Sequence, residues 1–243
     1  MAESKTTKRG KPIIEVEDVW KIYRMGDVEV KALRGLDLVI REGEFVSIQG
    51  PSGSGKSTAM NIIGCLDVPT KGRVRLAGTD IATLHESDLA QIRGRKIGFI
   101  FQKFNLIPTM STLENVMLPM AFQSIPPSRR HSRAKELLEL VELGDRLHHK
   151  PNELSGGQQQ RVAIARSLAM DPDVILADEP TGNLDSKTGK IVMEFLTKLN
   201  HEGRTIIMVT HDDKLAHYGQ RIEFLKDGKI VETRKGNKYK ARK

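Results

Sequence analysis

Residues 50–57 have the residue types and spacing of a phosphate cradle. They read Gly-Pro-Ser-Gly-Ser-Gly-Lys-Ser, which satisfies G-x-x-x-x-G-K-[ST]. Glycines let backbone N–H groups turn inward around an anion, and a helix beginning near Lys56 directs its positive end at the same point. Lys56 supplies an ammonium for the β- and γ-phosphates, Ser57 a hydroxyl for Mg²⁺, and Thr58 a hydroxyl for the α-phosphate. The pattern predicts a nucleoside-triphosphate site formed by Gly50, Ser52, Gly53, Ser54, Gly55, Lys56, Ser57 and Thr58.

A second chemical pattern is the pair of adjacent acids, Asp178 and Glu179, that follows the apolar run 174–177. Neighbouring side chains on a strand point apart, so the two carboxylates are expected to serve different parts of one site. Asp178 can hold Mg²⁺ through water, because Mg²⁺ keeps much of its hydration shell. Glu179 can polarise a water that attacks the γ-phosphate. The pair therefore predicts metal-assisted hydrolysis next to the cradle.

Apolar periodicity predicts the elements that must position these residues. The short strands before the acid pair and at 206–209 are fully apolar, as in a buried parallel sheet. Residues from about 104 to 161 contain several prolines, no convincing strand and one amphipathic helix. We therefore predict an α/β nucleotide-binding core with an inserted helical lobe. The predicted strands are 13–19, 28–33, 36–40, 44–49, 97–102, 174–177, 206–209, 221–226 and 229–233, with a strand and turn within 72–84; the predicted helices are 56–66, 86–93, 132–143, 158–169 and 187–200.

The charge of the 243-residue chain is concentrated at its ends. The formal net charge of +8 is the sum of +3 on residues 1–12, −1 on residues 13–225 and +6 on residues 226–243. A nucleic-acid groove would place its basic stripe on the folded body, so no nucleic-acid partner is expected. The tails serve either solvation or a weak attraction to anionic lipid headgroups. The absence of long apolar runs or an N-terminal signal segment, with a single cysteine, predicts a cytoplasmic location.

The pentapeptide Leu154-Ser155-Gly156-Gly157-Gln158 lies between the cradle and the acid pair and opens a predicted helix. A serine hydroxyl and two glycines at a helix N-terminus form a second phosphate-binding end. With the three motifs in this order, residues 13–233 resemble the ATP-binding cassette of ABC transporters. The resemblance implies a P-loop NTPase fold, with a mostly parallel sheet, an N-terminal antiparallel β subdomain and an inserted α-helical subdomain. It also implies ATP and Mg²⁺ as ligands and hydrolysis of ATP to ADP and phosphate.

In that family two cassettes pair head to tail, and each signature pentapeptide closes over the ATP bound by the other copy. The resemblance therefore implies a homodimer that forms on ATP binding. Residues 183–185, Asn-Leu-Asp, resemble the loop that reaches across such a dimer. The residues implied to contact nucleotide from the opposite copy are Ser155, Gly156, Gly157, Gln158 and Asp185.

Three further positions match the family. Tyr23 resembles the aromatic residue that stacks on adenine. Gln102, which ends a predicted strand, resembles the glutamine that senses Mg²⁺ and the attacking water and marks the hinge into the helical lobe. His211 resembles the switch histidine that contacts the γ-phosphate. The implied catalytic residues are Glu179, His211, Lys56 and Gln102, and the implied metal ligands are Ser57, Gln102 and Asp178.

The segments 61–67, 101–108 and 114–116 resemble the lipoprotein-release and macrolide-exporter (LolD/MacB) branch. That branch implies an integral membrane permease-type partner, a peripheral position on the inner face of the cell membrane, and a task in export, lipoprotein release or mechanotransmission. The alternative is a non-transport ABC ATPase that acts on DNA or the ribosome. Such relatives carry long coiled coils, zinc-binding insertions or tandem cassettes, for which this sequence has no pattern.

We expect a single ABC ATPase domain over 13–233 between basic tails at 1–12 and 234–243. Its RecA-like core would comprise 13–103 and 162–233, and its helical subdomain about 104–161. The apolar stretch 104–108 is either core of the helical lobe or part of a groove that receives a helix of the membrane partner.

Overall fold

The structure, a computed structural model, describes residues 10–236 and contains two β-sheets of different kinds. Most of both predicted basic tails, residues 1–9 and 237–243, lies outside the described residues. The strands are β1 Pro12–Met25, β2 Val28–Arg41, β3 Phe45–Gln49, β4 Lys71–Leu76, β5 Thr79–Asp80, β6 Ile97–Ile100, β7 Val174–Asp178, β8 Thr205–Thr210, β9 Arg221–Lys226 and β10 Lys229–Lys235. The helices are α1 Lys56–Ile63, α2 Glu86–Lys96, α3 Thr112–Phe122, α4 Pro127–Leu140, α5 Gly156–Ser167, α6 Ser186–His201 and α7 Asp213–Ala216, with 3₁₀ turns at Ile81–Thr83 and Pro151–Glu153.

The larger sheet brings the predicted motifs to one edge. Its strand order is β10-β9-β3-β8-β7-β6, and every pair is parallel except the β9–β10 hairpin. β3 and β8 are buried along their whole length, as strands inside a parallel sheet are. The cradle follows β3, the acid pair ends β7, and His211 follows β8, which lies between those two strands. The carboxyl ends of parallel strands thus assemble one site.

The smaller sheet is antiparallel, in the order β2-β1-β4-β5. The prediction of separate strands at 28–33 and 36–40 is wrong, because β2 is continuous. Val19 pairs with Leu36 and Trp20 with Arg34, which leaves Gly35 as an extra residue with φ of +87°. Gly35 therefore forms a bulge within the strand, where the sequence indicated a break. β1 also runs to Met25, six residues beyond its predicted end.

The helical lobe is built from α3, α4 and α5, whose apolar faces share one core with α6 and one side of the parallel sheet. Helix α3 was not predicted from the sequence, although Ser111 and Glu114 form a capping box at its start. The predicted helix 132–143 begins earlier and ends earlier, as α4, with Pro127 in its first turn. Glu142, with φ of +58°, lies in the left-handed region just after the helix.

The predicted α/β class, with a mostly parallel sheet, an antiparallel β subdomain and a helical insertion, is confirmed. Further boundaries differ from the prediction, and those nearest the site are the following. α1 ends at Ile63 because Cys65 adopts a φ of +55°, and α5 begins two residues earlier than expected, at Gly156. β6 ends at Ile100, so Gln102 lies in the following loop and not at a strand end. Within residues 10–236, no helix has both the length and the apolar character needed to cross a membrane.

Candidate nucleotide site

The phosphate cradle is a turn between β3 and α1 whose backbone requires glycine. Gly55 precedes the first residue of α1 with φ of +102°, and a Cβ there would lie 2.5 Å from the carbonyl oxygen of Ala32. Gly53 also has positive φ, at +77°. The Ser54 carbonyl accepts a hydrogen bond of 2.9 Å from the N–H of Gly228, which ties the loop to the β9–β10 turn. A side chain on Gly55 would distort the backbone that the anion needs.

Lys56 lies at the centre of the cradle. Its Nζ donates hydrogen bonds of 2.8 Å to the carbonyl oxygens of Gly50 and Pro51. Burial lowers the pKa of Lys56, and the charges of Glu179 and Asp178 partly oppose that shift. The ammonium is therefore held between the glycine-rich loop and the acid pair, where phosphates between the two would meet it.

A pocket of about 470 Å³ opens beside the cradle. The exposed hydroxyl of Ser57 and the half-buried Thr58 face it from α1. β2 forms the opposite wall of the pocket. This wall was not predicted, because residues 28–33 carry no phosphate-binding pattern. Ser52 is exposed in the loop. The pocket is lined by Glu29, Val30, Lys31, Ala32, Arg34, Gly53, Gly55, Lys56, Ser57 and Thr58.

The predicted adenine contact, Tyr23, lies on β1 and is 36% exposed. Its hydroxyl donates to Oδ2 of Asp67 at 3.0 Å. Burial raises the pKa of Tyr23, and the bond to Asp67 adds to the shift. Asp67 was missed as a functional candidate, because no chemical pattern in the sequence joins it to Tyr23.

The acid pair ends β7, but the two residues diverge for a different reason from the one predicted. Asp178 is the last residue of the strand, whereas Glu179 leaves it with φ of +42° and donates its N–H to the carbonyl of Val209 at 2.9 Å. A turn, and not strand alternation, therefore sets the direction of Glu179. Burial raises the pKa of Asp178, the charge of Glu179 raises it further, and Lys56 opposes both.

Gln102, Glu179 and His211, which are far apart in the sequence, line one pocket of about 240 Å³. His211 Nδ1 lies 2.5 Å from Oε1 of Glu179. The backbone carbonyl of Gln102 accepts a hydrogen bond of 2.8 Å from Nδ2 of Asn183, and a Cβ on Gly182 would lie 2.7 Å from the Gln102 side-chain nitrogen. The structure thus places a carboxylate, an imidazole and an amide around a space large enough for several water molecules.

The signature pentapeptide forms the N-terminus of α5, away from the cradle. Ser155 Oγ accepts the N–H of Gln158 at 3.3 Å, and Gln158 Oε1 accepts the N–H of Ser155 at 2.9 Å. Gly157 packs against Thr188 of α6. Ser155, Gly157 and Gln158 line a depression of about 210 Å³ that shares no lining residue with the cradle pocket among the described residues. One chain therefore does not bring the two predicted phosphate-binding ends together.

Asp185 caps α6 in this structure. Its Oδ1 accepts the N–H groups of Lys187 and Thr188 at 3.0 Å, and its Oδ2 accepts the Thr188 hydroxyl at 2.6 Å. These bonds, led by the one from the Thr188 hydroxyl, lower the pKa of Asp185. Asp185 lines neither the cradle pocket nor the pocket shared by Gln102, Glu179 and His211.

An open groove of about 380 Å³ lies where α2, β6, α3 and α5 meet. Arg166 of α5 donates to the carbonyl oxygens of Phe104 at 2.9 Å and Asn105 at 2.6 Å, which holds the segment 104–105 beside the groove. Asn105 lines the groove, whereas Leu106 packs against the core of the helical lobe. Part of the stretch 104–108 thus lines the groove, and part of it packs against the core of the helical lobe. The groove is lined by Leu66, Arg93, Gly94, Ile97, Gly98, Phe99, Phe101, Asn105, Pro119, Arg166, Ser167 and Met170.

Comparison with known proteins agrees with this architecture. Residues 33–182 match the family described as ABC transporter. An uncharacterized ABC transporter ATP-binding protein of Thermotoga maritima is 57% identical over 90% of this chain and 94% of its own length. MJ0796 of Methanocaldococcus jannaschii is 54% identical, over 92% of this chain and 97% of its own. The macrolide export ATP-binding/permease protein MacB of Brucella melitensis is 50% identical over 91% of this chain, which spans 34% of MacB.

A solved structure shows the same fold. It is the dimeric post-hydrolysis state of the ATP-binding cassette MJ0796 bound to ADP and Pi, and it matches with a TM-score of 0.85 and 51% identity. The match covers 93% of this chain and all of the solved one. These comparisons favour a transporter subunit over an ATPase that acts on DNA or the ribosome. The chain belongs to the ABC transporter family, in the group that includes MacB and MJ0796, and is an ATP-binding subunit that hydrolyses ATP to power transport.

Proposed function

We propose that two copies of this chain pair head to tail around two ATP molecules and that this closure moves a membrane permease. The observation that carries the proposal is the separation of the cradle and the Ser155 turn into two pockets on one chain. Each is half of a phosphate site, because each offers donors from one direction only. A second copy related by a two-fold axis completes both sites at once. The related MJ0796 cassette is dimeric in its solved structure.

The residues around the cradle fit Mg²⁺ together with a triphosphate. Ser57 hydroxyl, Gln102 amide and Asp178 carboxylate oxygens are hard ligands of the kind Mg²⁺ prefers, and a Cβ on Gly53 of the cradle would meet no atom within 4 Å, which leaves open space for phosphate there. Bound Mg²⁺ would neutralise charge on the phosphates. We propose Ser57, Gln102 and Asp178 as the residues that hold it, with Lys56 beside the β- and γ-phosphates.

Glu179 would act as the base that orients and polarises the attacking water. The Glu179 side chain is half-buried and lines the same pocket as Gln102 and His211. Its Oε1 lies 2.5 Å from Nδ1 of His211. This contact fixes one carboxylate oxygen and leaves the other for water. His211, whose side chain is 69% exposed, is placed to exchange that contact for one with the γ-phosphate. The residues thus support general-base catalysis with a positioned water.

The test is the variant Glu179→Gln. A glutamine keeps the shape but not the charge, so ATP should still bind while hydrolysis falls by about 100-fold or more. Gel filtration with Mg-ATP should then show a stable dimer, and EDTA should return it to monomer. The control is Glu202→Gln, at an exposed acid after α6, which should behave as wild type. A Glu179→Gln chain that holds ATP and stays monomeric would contradict the proposal.

We further propose that the groove between α2 and α3 receives a cytoplasmic helix of an integral membrane partner, so that the protein works at the inner face of the membrane. The groove is mostly apolar and lies beside the loop that carries Gln102, so a helix seated there would contact the segment that joins the catalytic pocket to the helical lobe. MacB is a macrolide export ATP-binding/permease protein. A partner of that kind supports a task in export, lipoprotein release or mechanotransmission.

The groove is tested by a matched pair of substitutions. Leu66 is 45% exposed and lines the groove, whereas Leu140 is 42% exposed and lies elsewhere, at the end of α4. Purification from detergent-solubilised membranes should recover a membrane-spanning protein with the wild type and with Leu140→Arg, but not with Leu66→Arg. Recovery of ribosomes or DNA in place of a membrane protein would contradict the proposed partner.

A further inference from the structure

A hydrogen-bonded network fastens the ring of Tyr23 to the segment that follows α1. Lys21 and Tyr23 are two residues apart on β1, and both side chains reach the carboxylate of Asp67. Tyr23 donates its hydroxyl to Oδ2 of Asp67 at 3.0 Å, and Lys21 Nζ donates to Oδ1 of the same carboxylate at 2.5 Å. The N–H of Val68 also donates to Oδ1, at 2.8 Å. Both oxygens of Asp67 are thus used.

Lys21 acts on the ring as well as on the carboxylate. Its Nζ lies 5.1 Å from the centroid of the Tyr23 ring, within the range of a cation–π contact. The Lys21 side chain is only 13% exposed, whereas Tyr23 remains 36% exposed. The ring is therefore supported from the protein side and open toward solvent, as a surface for stacking must be.

The network also reaches the cradle. Asp67 follows the end of α1, the helix whose first turn carries Lys56, Ser57 and Thr58 of the cradle. The bond from the Tyr23 hydroxyl to Asp67 therefore ties the ring to the helix that begins at the cradle. Burial by itself would raise the pKa of Asp67, but the hydrogen bonds from Lys21, Val68 and Tyr23 outweigh it and lower the pKa. Asp67 is therefore a charged acceptor at neutral pH.

We propose that Asp67, with Lys21, is a positioning residue that holds the Tyr23 ring where adenine stacks. The inference rests on the proposed function, since it requires that ATP binds at the cradle with its adenine on Tyr23, as the family resemblance implies. The physical reason is preorganisation: an exposed aromatic ring that is already fixed loses less side-chain freedom when a base stacks on it. Asp67 touches no nucleotide in this scheme and acts only through the Tyr23 hydroxyl.

A double-mutant cycle tests this coupling, with mant-ATP as the probe and the full chain as the protein. Tyr23→Phe keeps the ring but removes the bond to Asp67, and it leaves the fold least disturbed. We expect Tyr23→Phe and Asp67→Ala each to weaken mant-ATP binding by about threefold to tenfold, the size of one hydrogen bond. The double variant should be no weaker than the worse single variant, because both remove the same interaction. The KM for ATP should rise while kcat stays unchanged.

Glu17→Gln is the matched control, because Glu17 is an acid on β1 that pairs with Arg73 and Arg75 away from the cradle. It should leave mant-ATP affinity unchanged. Wild-type affinity in Tyr23→Phe, or losses that simply add in the double variant, would overturn the inference while leaving the proposed function intact. Wild-type affinity in Tyr23→Ala would instead remove the adenine contact itself, and the inference with it. Thermal melting of each variant separates loss of binding from loss of fold.

Discussion

The N-termini of α1 and α5, both predicted to bind phosphate, differ in whether side chains of their own chain cap them. α1 begins after Gly55 in a left-handed conformation, and no side chain within residues 10–236 caps it. α5 begins after Ser155, whose side chain and that of Gln158 form a reciprocal capping box. A free helix N-terminus leaves backbone N–H groups unsatisfied, and a capping box satisfies two donors. The cradle is therefore open toward an anion, whereas the signature turn is already stabilised without one.

This difference suits a cycle in which the dimer opens after each hydrolysis. In the separated chain of that cycle, the cradle alone would hold the nucleotide. Its uncapped backbone N–H groups and the Lys56 ammonium are suited to bind the negatively charged phosphates. In the proposed cycle the signature turn is exposed whenever the dimer opens, and its own capping box then stabilises it. Gly156 and Gly157 still leave the turn without bulky side chains, and the Ser155 hydroxyl hydrogen remains free to donate across the interface.

The largest effect is expected at the open helix end. Lys56→Ala removes the cation that meets the β- and γ-phosphates, and kcat should fall on the order of 100- to 1,000-fold. Steady-state phosphate release measures this loss. Lys96→Ala is the control, since Lys96 makes only an exposed ion pair of 2.8 Å with Asp173 and should turn over ATP normally. Near-normal hydrolysis by Lys56→Ala would break the assignment of the cradle.

A smaller effect on activity is expected at the capped helix end, and a second capping box supplies its control. Ser155→Ala and Ser111→Ala each remove an N-cap serine with a reciprocal partner, Gln158 or Glu114. Each should lower the free energy of unfolding by about 1 kcal/mol. Only Ser155→Ala should also slow hydrolysis, by about tenfold, the size of one charge-assisted hydrogen bond to phosphate. Equal activity in the two variants would mean that the signature turn is structural only.

The smallest effect concerns stability at the acid pair. The folded-state pKa of Asp178 is raised, so the folded chain binds more protons than the unfolded chain in the window above the ordinary aspartate value. The free energy of unfolding therefore falls as pH rises through that window, and the full cost is present above the folded-state pKa. Asp178→Asn removes a charge that is only half-buried and thus screened, a gain on the order of 0.5 kcal/mol or about 1–2 °C in Tm.

Melting curves in EDTA without nucleotide check this last expectation, because bound metal would reverse its sign. The gain should shrink at low pH, where Asp178 is protonated in the wild type. Asp173→Asn, at an exposed acid on the same surface as Lys96, should give no gain. A lower Tm for Asp178→Asn at pH 7 would show that Asp178 stabilises the chain in addition to serving the metal site.

Local chemistry made much of the fold predictable. The β9–β10 hairpin follows from Asp227 and Gly228, which take φ values of +49° and +78° in the turn. Helix α3, in contrast, was not predicted, because Pro119 lies within it and suggested a loop. Packing of α3 against α4 and α5 offsets the cost of that proline, and the Ser111 capping box was the available indication of its start.

The sequence by itself determined the cradle, the acid pair and the signature turn, because each is a contiguous segment whose glycines, caps and charges act on their own neighbours. Only the tertiary structure decided which distant residues share a pocket. Gln102, Glu179 and His211 meet because β8 lies beside β7 and β7 beside β6, and Tyr23 meets Asp67 because β1 passes the end of α1. Strand order and helix packing depend on burial summed over the whole chain, so no local pattern contains them.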